Sequence, residues 1–249
     1  MHRQKKITTG INSVPKDLSV VIPVFNEEKR VEKALEICQK FAKKYPGWEF
    51  ILVNDGSTDK TAEIIKKTTS FKLISYAENR GKGYALKRGI AKATKPLVLI
   101  CDVDFSTPLS EVNLLYPFIR KGAEMVIGSR KIQGAKVLIH QPFWREWLGQ
   151  QFTNLSRLWL GLKVSDVTCG FKLFTRKAAK KLFKLQRIKR WGYDAEILYL
   201  AKKLNYRMVD VAVSWRNDER TKVSVGLDIL RSLYDLWQIR WNAWMGKYS

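Results

Sequence analysis

Several features that would mark a particular class of protein are scarce in this chain of 249 residues. Cysteine occurs three times, as Cys38, Cys101 and Cys169, far apart and without CxxC spacing. This sparse, odd-numbered set argues against a disulfide framework and against a zinc site, and it fits a reducing compartment. The two histidines, His2 and His140, form no visible pair with a nucleophile.

Long hydrophobic runs are also absent. No stretch reaches the roughly 18 to 20 apolar residues that span a bilayer, and no apolar region follows the basic N-terminus as it would in a secretory signal. We therefore expect a protein without a spanning helix, placed peripherally on the cytoplasmic face of a membrane. Hydrophobic residues still make up 45% of the chain, which is enough for a sizeable core.

Acidic residues are few compared with basic ones, because 46 Lys and Arg stand against 23 Asp and Glu and give a net charge of +23. Such a charge attracts nucleic acid, an anionic membrane surface or phosphorylated substrates. Nucleic-acid-binding proteins usually concentrate their charge in a recognisable module. No such module is visible, so we expect no nucleic-acid partner.

Apolar segments typical of strands alternate with helical segments over the first 130 residues. Strands are predicted at 18–24, 48–53, 71–76, 97–101 and 124–128, and helices from Asn26 (as the cap) to about Lys44, from Thr58 to Lys67 and over 82–93. The alternation predicts an α/β fold with a mostly parallel sheet covered by helices on both faces. Ligands of such sheets bind beyond the carboxyl ends of the strands, where the polar clusters fall.

The pattern changes after about residue 136, with helices predicted over 143–162, 194–203 and 226–246 and a strand over 207–215. The first and last of these helices are amphipathic and carry six of the nine tryptophans, together with several arginines. Tryptophan favours the lipid headgroup boundary and arginine suits anionic lipid. We expect these helices to touch a membrane surface; the alternatives are packing in the core, on a membrane protein or on a second copy of the chain.

Two carboxylates follow the predicted strand 97–101. Asp102 and Asp104 are two residues apart where the chain leaves the strand, so they can converge on one cation. Mg²⁺ and Mn²⁺ prefer oxygen ligands and usually keep a substrate phosphate in their coordination shell. The pair is therefore a candidate site for one of these ions, although such a pair by itself is more often a solvated loop.

Four segments occur in a characteristic order: VVIPVFNEE at 20–28, ILVNDGSTD at 51–59, ENRGKGYALKRGI at 78–90 and CDVDFSTP at 101–108. As a set they resemble the family 2 glycosyltransferases, which have the Rossmann-like GT-A fold. The resemblance implies a metal-dependent enzyme that takes a sugar from a nucleotide diphosphate donor, with Asp104 catalytic and Asp102 and Asp104 as metal ligands. It also implies donor contacts at Pro23, Val24, Glu27, Asp55, Lys82, Asp102 and Val103.

Later segments are similar to the dolichyl-phosphate hexose synthases: Gly128-Ser129-Arg130, the run VTCGFKLF at 167–174 and the run YDAEILY at 193–199. The run at 167–174 is closer to the glucose than to the mannose pattern. The resemblance implies inverting transfer of a hexose to a polyprenyl phosphate, with glucose from UDP-glucose favoured. The alternatives are GDP-mannose as the donor and a saccharide as the acceptor.

A phosphate acceptor requires fixed cations, and a guanidinium binds phosphate through two parallel hydrogen bonds. The predicted acceptor contacts are Ser129, Arg130, Arg220 and Lys222, and Arg130 is also predicted to act in catalysis. A phosphate oxygen is already ionised at neutral pH, so the hypothesis is that no general base is needed. If one is used, Asp194 is the predicted catalytic carboxylate.

These expectations divide the chain into three parts. Residues 1–17 are a basic arm, residues 18–225 a GT-A catalytic domain and residues 226–249 a C-terminal amphipathic helix. Within the catalytic domain, 18–130 is the predicted nucleotide-sugar half and 131–225 the predicted acceptor half.

Overall fold

A seven-stranded sheet forms the centre of the protein. The structure is a computed structural model that describes residues 14–68, 71–218 and 225–248, and for 225–229 it describes the backbone alone. Its strands are β1 (Leu18–Val24), β2 (Trp48–Asp55), β3 (Lys72–Tyr76), β4 (Leu97–Ile100), β5 (Met125–Ser129), β7 (Lys172–Thr175) and β8 (Met208–Ala212). They lie in the order β3-β2-β1-β4-β7-β5-β8, and only the pairs that include β7 are antiparallel. The mostly parallel sheet confirms the predicted α/β fold class.

Helices cover both faces of the sheet, because the strands place apolar side chains on both sides. In β1, Val21 contributes to one core while Val20 and Ile22 contribute to the other. The Val21 side is covered by α3 (Lys82–Ala91), α5 (Phe143–Leu160), α6 (Arg176–Leu185), α7 (Tyr193–Lys203) and α8 (Val225–Trp244). The opposite side is covered by α1 (Val31–Lys44), α2 (Thr61–Thr68) and α4 (Val112–Arg120).

Two predicted helix starts were wrong. Helix α1 begins at Val31 rather than after Asn26, which adopts a left-handed φ of 52° and accepts a hydrogen bond from Thr58 N at 2.8 Å. Helix α2 begins at Thr61, because Thr58 belongs to this same loop contact. Asn26 therefore joins the loops that follow β1 and β2 instead of capping a helix.

Several elements of the second half differ from the prediction. The segment 207–215 is divided between β8 and β9 (Ser214–Arg216), and β9 pairs with β6 (Lys136–Ile139) in a separate two-stranded sheet. The helices α4 and α6, the strands β6 and β7 and a 3-10 turn at Leu109–Glu111 were not predicted. Helix α4 contains Pro117, a residue that normally indicates a helix end.

The two predicted amphipathic helices expose their tryptophans. Six tryptophan residues of these helices are between 39% and 77% exposed: Trp144, Trp147, Trp159, Trp237, Trp241 and Trp244. Helix α5 instead buries Thr153, Ser156 and Leu160. The alternative that these indoles pack in the protein's own core is therefore wrong. Within the described ranges, no helix has the length and apolar character needed to cross a bilayer.

Candidate active site

A cavity of about 390 Å³ opens at the carboxyl ends of β1, β2 and β4. Every side chain predicted to contact the donor lines it, namely Pro23, Val24, Glu27, Asp55, Lys82, Asp102 and Val103. Asp104 and Arg130 line it as well. Because β4 and β5 both run antiparallel to β7, they point the same way, so Arg130 after β5 reaches the same edge as Asp102 after β4.

Asp55, the last residue of β2, holds the loop that leads into α3. Its Oδ1 accepts hydrogen bonds from Tyr76 Oη at 2.7 Å and Arg80 N at 2.9 Å, and its Oδ2 accepts from Gly81 N at 2.8 Å. Gly81 has a φ of 99°, which glycine adopts without strain. This turn brings Lys82, the first residue of α3, to the cavity.

Glu27 is fixed by Arg30, a residue that was not predicted to belong to the site. Arg30 Nε and Nη2 each donate to the Glu27 carboxylate at 2.6 Å, and Arg30 Nη1 lies 3.3 Å from Asp218 Oδ2. Arg30 also lines the cavity. The only sequence signal for this pair was its i,i+3 spacing, which is common on helices. Arg30 thus links Glu27, in the loop after β1, to Asp218.

The carboxylates of Asp102 and Asp104 face a lysine. Lys82 Nζ lies 2.5 Å from Asp102 Oδ1. Burial opposes the charge of Lys82, but the nearby carboxylates of Asp102 and Asp194 outweigh it and raise the pKa of Lys82. Burial, and then repulsion from Asp102, raise the pKa of Asp104. Two neighbouring carboxylates repel one another unless a cation binds between them, and a hard divalent ion meets this requirement.

The protein offers such an ion few further ligands. No group of three or more His, Cys, Asp or Glu side chains suited to a metal occurs among the residues that the structure describes. Mg²⁺ and similar ions commonly use one or two carboxylates and complete their shell with water and substrate phosphate. Asp102 and Asp104 therefore fit an ion that is completed by the donor.

Arg130 is held by a buried carboxylate. Its Nε and Nη2 donate to Asp166 Oδ2 and Oδ1 at 2.7 and 2.8 Å, and Nη2 also donates to Thr168 Oγ1 at 2.9 Å. Its guanidinium lies 5.3 Å from the ring centroid of Trp215. Asp166 is 0% exposed. Burial disfavours its charge, but Arg130 outweighs this effect and lowers the pKa of Asp166.

Other predicted site residues lie away from the cavity wall. Ser129 is fully buried, with its Oγ 2.8 Å from Ser165 Oγ. Asp194 is buried and forms an ion pair with Lys172, whose Nζ also donates to the carbonyl oxygen of Cys169. Neither Ser129 nor Asp194 lines the cavity. Arg220 and Lys222 lie outside the described residues.

The family follows from a comparison of the whole chain with known proteins. Residues 19–183 match the model named Glycosyl transferase family 2. The chain belongs to glycosyltransferase family 2. This glycosyltransferase is 33% identical over 246 residues to a dolichyl-phosphate beta-glucosyltransferase of Trichomonas vaginalis, covering 91% of this chain and 75% of that protein. It is 32% identical over 240 residues to the dolichyl-phosphate beta-glucosyltransferase of Homo sapiens, covering 88% and 74%.

Solved structures agree with the architecture of the glycosyltransferase. Glucosyl-3-phosphoglycerate synthase of Mycobacterium tuberculosis, in complex with UDP, matches with a TM-score of 0.68 and 22% identity, covering 90% of this chain and 79% of that chain. Mannosyl-3-phosphoglycerate synthase of Rubrobacter xylanophilus matches with a TM-score of 0.66 and 19% identity, covering 93% and 75%. These likenesses confirm the predicted GT-A fold. Crystals of the mycobacterial protein have contained UDP with Mn²⁺ or Mg²⁺.

Hydrogen bonds to α7 and α8 hold one wall of the glycosyltransferase cavity in place. Arg190 and Trp191 line the cavity within the segment 187–192. Glu196 in α7 accepts hydrogen bonds from Arg187 N and Ile188 N at 2.9 and 2.8 Å, and Tyr248 Oη donates to the same carboxylate at 2.5 Å. In α8, Asp235 Oδ2 accepts from Gly192 N at 3.2 Å. The position of this wall therefore depends on α8 and on the residues that follow it.

Gly170 provides a test of how closely Asp102 must be placed. A Cβ at position 170 would lie 2.4 Å from Asp102 Oδ2, so an alanine there must displace that carboxylate. We expect Gly170→Ala to raise the Mn²⁺ concentration for half-maximal transfer by about 10-fold, in the range seen when metal ligands lose their support. The measurement is a Mn²⁺ titration of initial rate. Gly149→Ala, whose Cβ meets no atom within 4 Å, is the control; equal metal dependence in both variants would contradict the expectation.

Proposed function

We propose that this enzyme transfers glucose from UDP-glucose, with inversion, to a polyprenyl phosphate of the dolichyl type. One observation carries the proposal: a single cavity contains both the Asp102 and Asp104 carboxylates and the guanidinium of Arg130, held in place by Asp166. The first set suits a metal-bound diphosphate, and the second suits an acceptor phosphate. The names of relatives that share about a third of its residues support the sugar and the acceptor.

Most of the proposed chemistry is positioning and charge stabilisation. Asp102 and Asp104 would hold Mg²⁺ or Mn²⁺, which when bound neutralises the diphosphate leaving group. Arg130 orients the acceptor phosphate, whose ionised oxygen bonds to the anomeric carbon as the bond from that carbon to the diphosphate oxygen breaks. The nucleoside diphosphate leaves with the electron pair.

The proposed reaction needs no general base, since the attacking oxygen carries no proton at neutral pH. The burial of Asp194 and its ion pair with Lys172 support this part of the proposal. Lys172 Nζ also binds the carbonyl oxygens of Val167 and Cys169, next to Thr168 and Gly170 of the cavity wall. We therefore assign Asp194 as a positioning residue for that wall.

The proposed enzyme acts peripherally on the cytoplasmic face of a membrane. The exposed apolar side chains of α5 and α8 support this placement, since patches of this kind mark membrane or protein contacts. The three cysteines are free and buried, as expected in a reducing compartment. A membrane protein or a second copy of the chain is the competing partner for these helices.

The proposal is tested by a transfer assay. Purified protein is incubated with a short polyprenyl phosphate, Mg²⁺ or Mn²⁺, and radiolabelled UDP-glucose or GDP-mannose in parallel, and label entering the organic phase is counted. Metal-dependent label from UDP-glucose alone is the expected result. Label from GDP-mannose alone would show that the transferred sugar is mannose. Donor hydrolysis without organic-phase label from either donor would contradict the lipid phosphate acceptor and favour a saccharide.

A further inference from the structure

A second cavity, of about 530 Å³, lies among α5, α7 and α8. We call it the tryptophan groove. Its walls combine indole rings with basic side chains: Trp159, Trp237, Trp241, Trp244, Lys203 and Arg240. None of these residues lines the catalytic cavity, so the groove is a separate feature of the surface.

The indoles of the groove are arranged by contacts within the protein. Trp237 and Trp241 stack with ring centroids 5.4 Å apart, and Trp241 meets Trp244 edge to face at 5.1 Å. Trp159 Nε1 donates to Leu236 O at 3.1 Å and thereby joins α5 to α8. Each of these tryptophan residues is nevertheless at least 39% exposed. A fixed and exposed aromatic wall of this kind suits an occupant with apolar surface.

The charges of the groove restrict that occupant further. Lys203 and Arg240 are exposed and form no ion pair or side-chain hydrogen bond with the described part of the chain. No acidic side chain is among the described residues that line the groove. An apolar helix seated there would bury both cations without a counter-charge, which is costly. A second copy of a chain with a net charge of +23 would be repelled.

We propose that the tryptophan groove binds the headgroup of an anionic phospholipid. Arg240 and Lys203 contact the lipid phosphate, while the indoles lie at the boundary between headgroup and acyl chains, where tryptophan is favoured. The inference rests on the proposed membrane placement and adds to it a site that selects lipids by charge. The aromatic wall alone would serve any bilayer, whereas the two cations favour an anionic one.

Two double variants of equal charge test this site. Lys203→Gln/Arg240→Gln changes the groove, and Lys33→Gln/Lys40→Gln removes two exposed lysines from α1, on the opposite face of the sheet. Binding of the full chain is measured by sedimentation with vesicles of phosphatidylcholine alone or mixed with phosphatidylglycerol. We expect the groove variant to bind the mixed vesicles about 30-fold more weakly, and the control variant to change by less than about 2-fold, because surface attraction decays within a Debye length.

Three results would overturn the groove as a lipid site. Equal losses in the two variants would indicate diffuse attraction by the net charge, and no loss in the groove variant would exclude the two cations. Displacement from vesicles by millimolar inorganic phosphate at constant ionic strength would indicate a site for a soluble anion. A second measurement, glucosyl transfer in detergent micelles, separates this inference from the proposed function. We expect the groove variant to transfer glucose at the wild-type rate. If the wild-type protein binds anionic vesicles selectively but transfers no sugar, only the proposed function fails.

Discussion

Asp104→Asn is expected to lower kcat/KM for glucosyl transfer by about 10³-fold, the scale of effect seen when a group that stabilises transition-state charge is lost. Asparagine keeps the shape of the side chain and the oxygen that accepts from Ser106 N at 2.9 Å. It removes the charge that, with Asp102, would hold the metal and the diphosphate. The measurement is initial rate over a range of donor concentrations at saturating Mg²⁺ or Mn²⁺.

The stability of the Asp104 variant separates this role from a structural one. Because Asp102 and Asp104 repel one another without a metal, we expect the Tm of Asp104→Asn in EDTA to equal or exceed that of the wild type. Asp17→Asn is the control, since Asp17 immediately precedes β1 at the opposite edge of the sheet and lies 4.0 Å from Lys95. A Tm of Asp104→Asn below those of the wild type and of Asp17→Asn would show that Asp104 is needed for the stability of the fold.

Asp166→Asn is expected to be both destabilising and inactivating. It leaves the guanidinium of Arg130 without its buried counter-charge, which costs about 3–5 kcal/mol in comparable pairs. It also replaces one of the two oxygens that orient Arg130 by an NH2 group, which cannot accept from the guanidinium, so transfer should fall by about 10²-fold, as when a positioned group moves by about 1 Å. Urea unfolding and initial rate measure the two effects.

A double variant and a pH series separate the two effects of Asp166. Arg130→Met/Asp166→Leu is expected to recover most of the stability and none of the activity, since apolar residues can replace a buried ion pair. Because the pKa of Asp166 is lowered in the folded protein, its contribution is fully present above the ordinary carboxyl pKa of about 4 and is lost as the pH falls below it. The Tm difference between wild type and Asp166→Asn should therefore be constant from about pH 8 to 5 and shrink only in stronger acid. A difference that shrinks near neutral pH would contradict this assignment.

The donor side of the site could be predicted because it depends on short-range rules. Apolar runs identify β1, β2 and β4, and the carboxyl ends of parallel strands meet at one edge, which places Asp55 and Asp102 together. The ion pairs behind the site join residues far apart in the sequence. Asp166 reaches Arg130 across 36 positions, and no spacing rule connects them. Arg130 could therefore be predicted at the site from the sequence, but Asp166, which holds it, could not.

Helix α5 shows a different limit of sequence reasoning. Its periodicity indicates an amphipathic helix, but not which side faces the protein. The helix packs through Thr153, Ser156 and Leu160 and leaves Trp144 and Trp147 exposed. A rule that buries the apolar side would have reversed this orientation. Only the packing of the neighbouring elements decides between the two.

The position of β7 limits how members of this family can be recombined. The strand lies between β4 and β5, although it is synthesised after both. A growing chain of 130 residues can pair β3, β2, β1 and β4, but β5 has no neighbour until residues 172–175 emerge. A chimera cut between the donor and acceptor halves would therefore pair a strand from one parent with strands from the other on both sides. A unit that runs from β5 through β9 keeps the β5–β7, β5–β8 and β6–β9 pairs within one parent, leaves the β4–β7 pair as a strand pair between the parents, and carries Arg130 and Asp166 together.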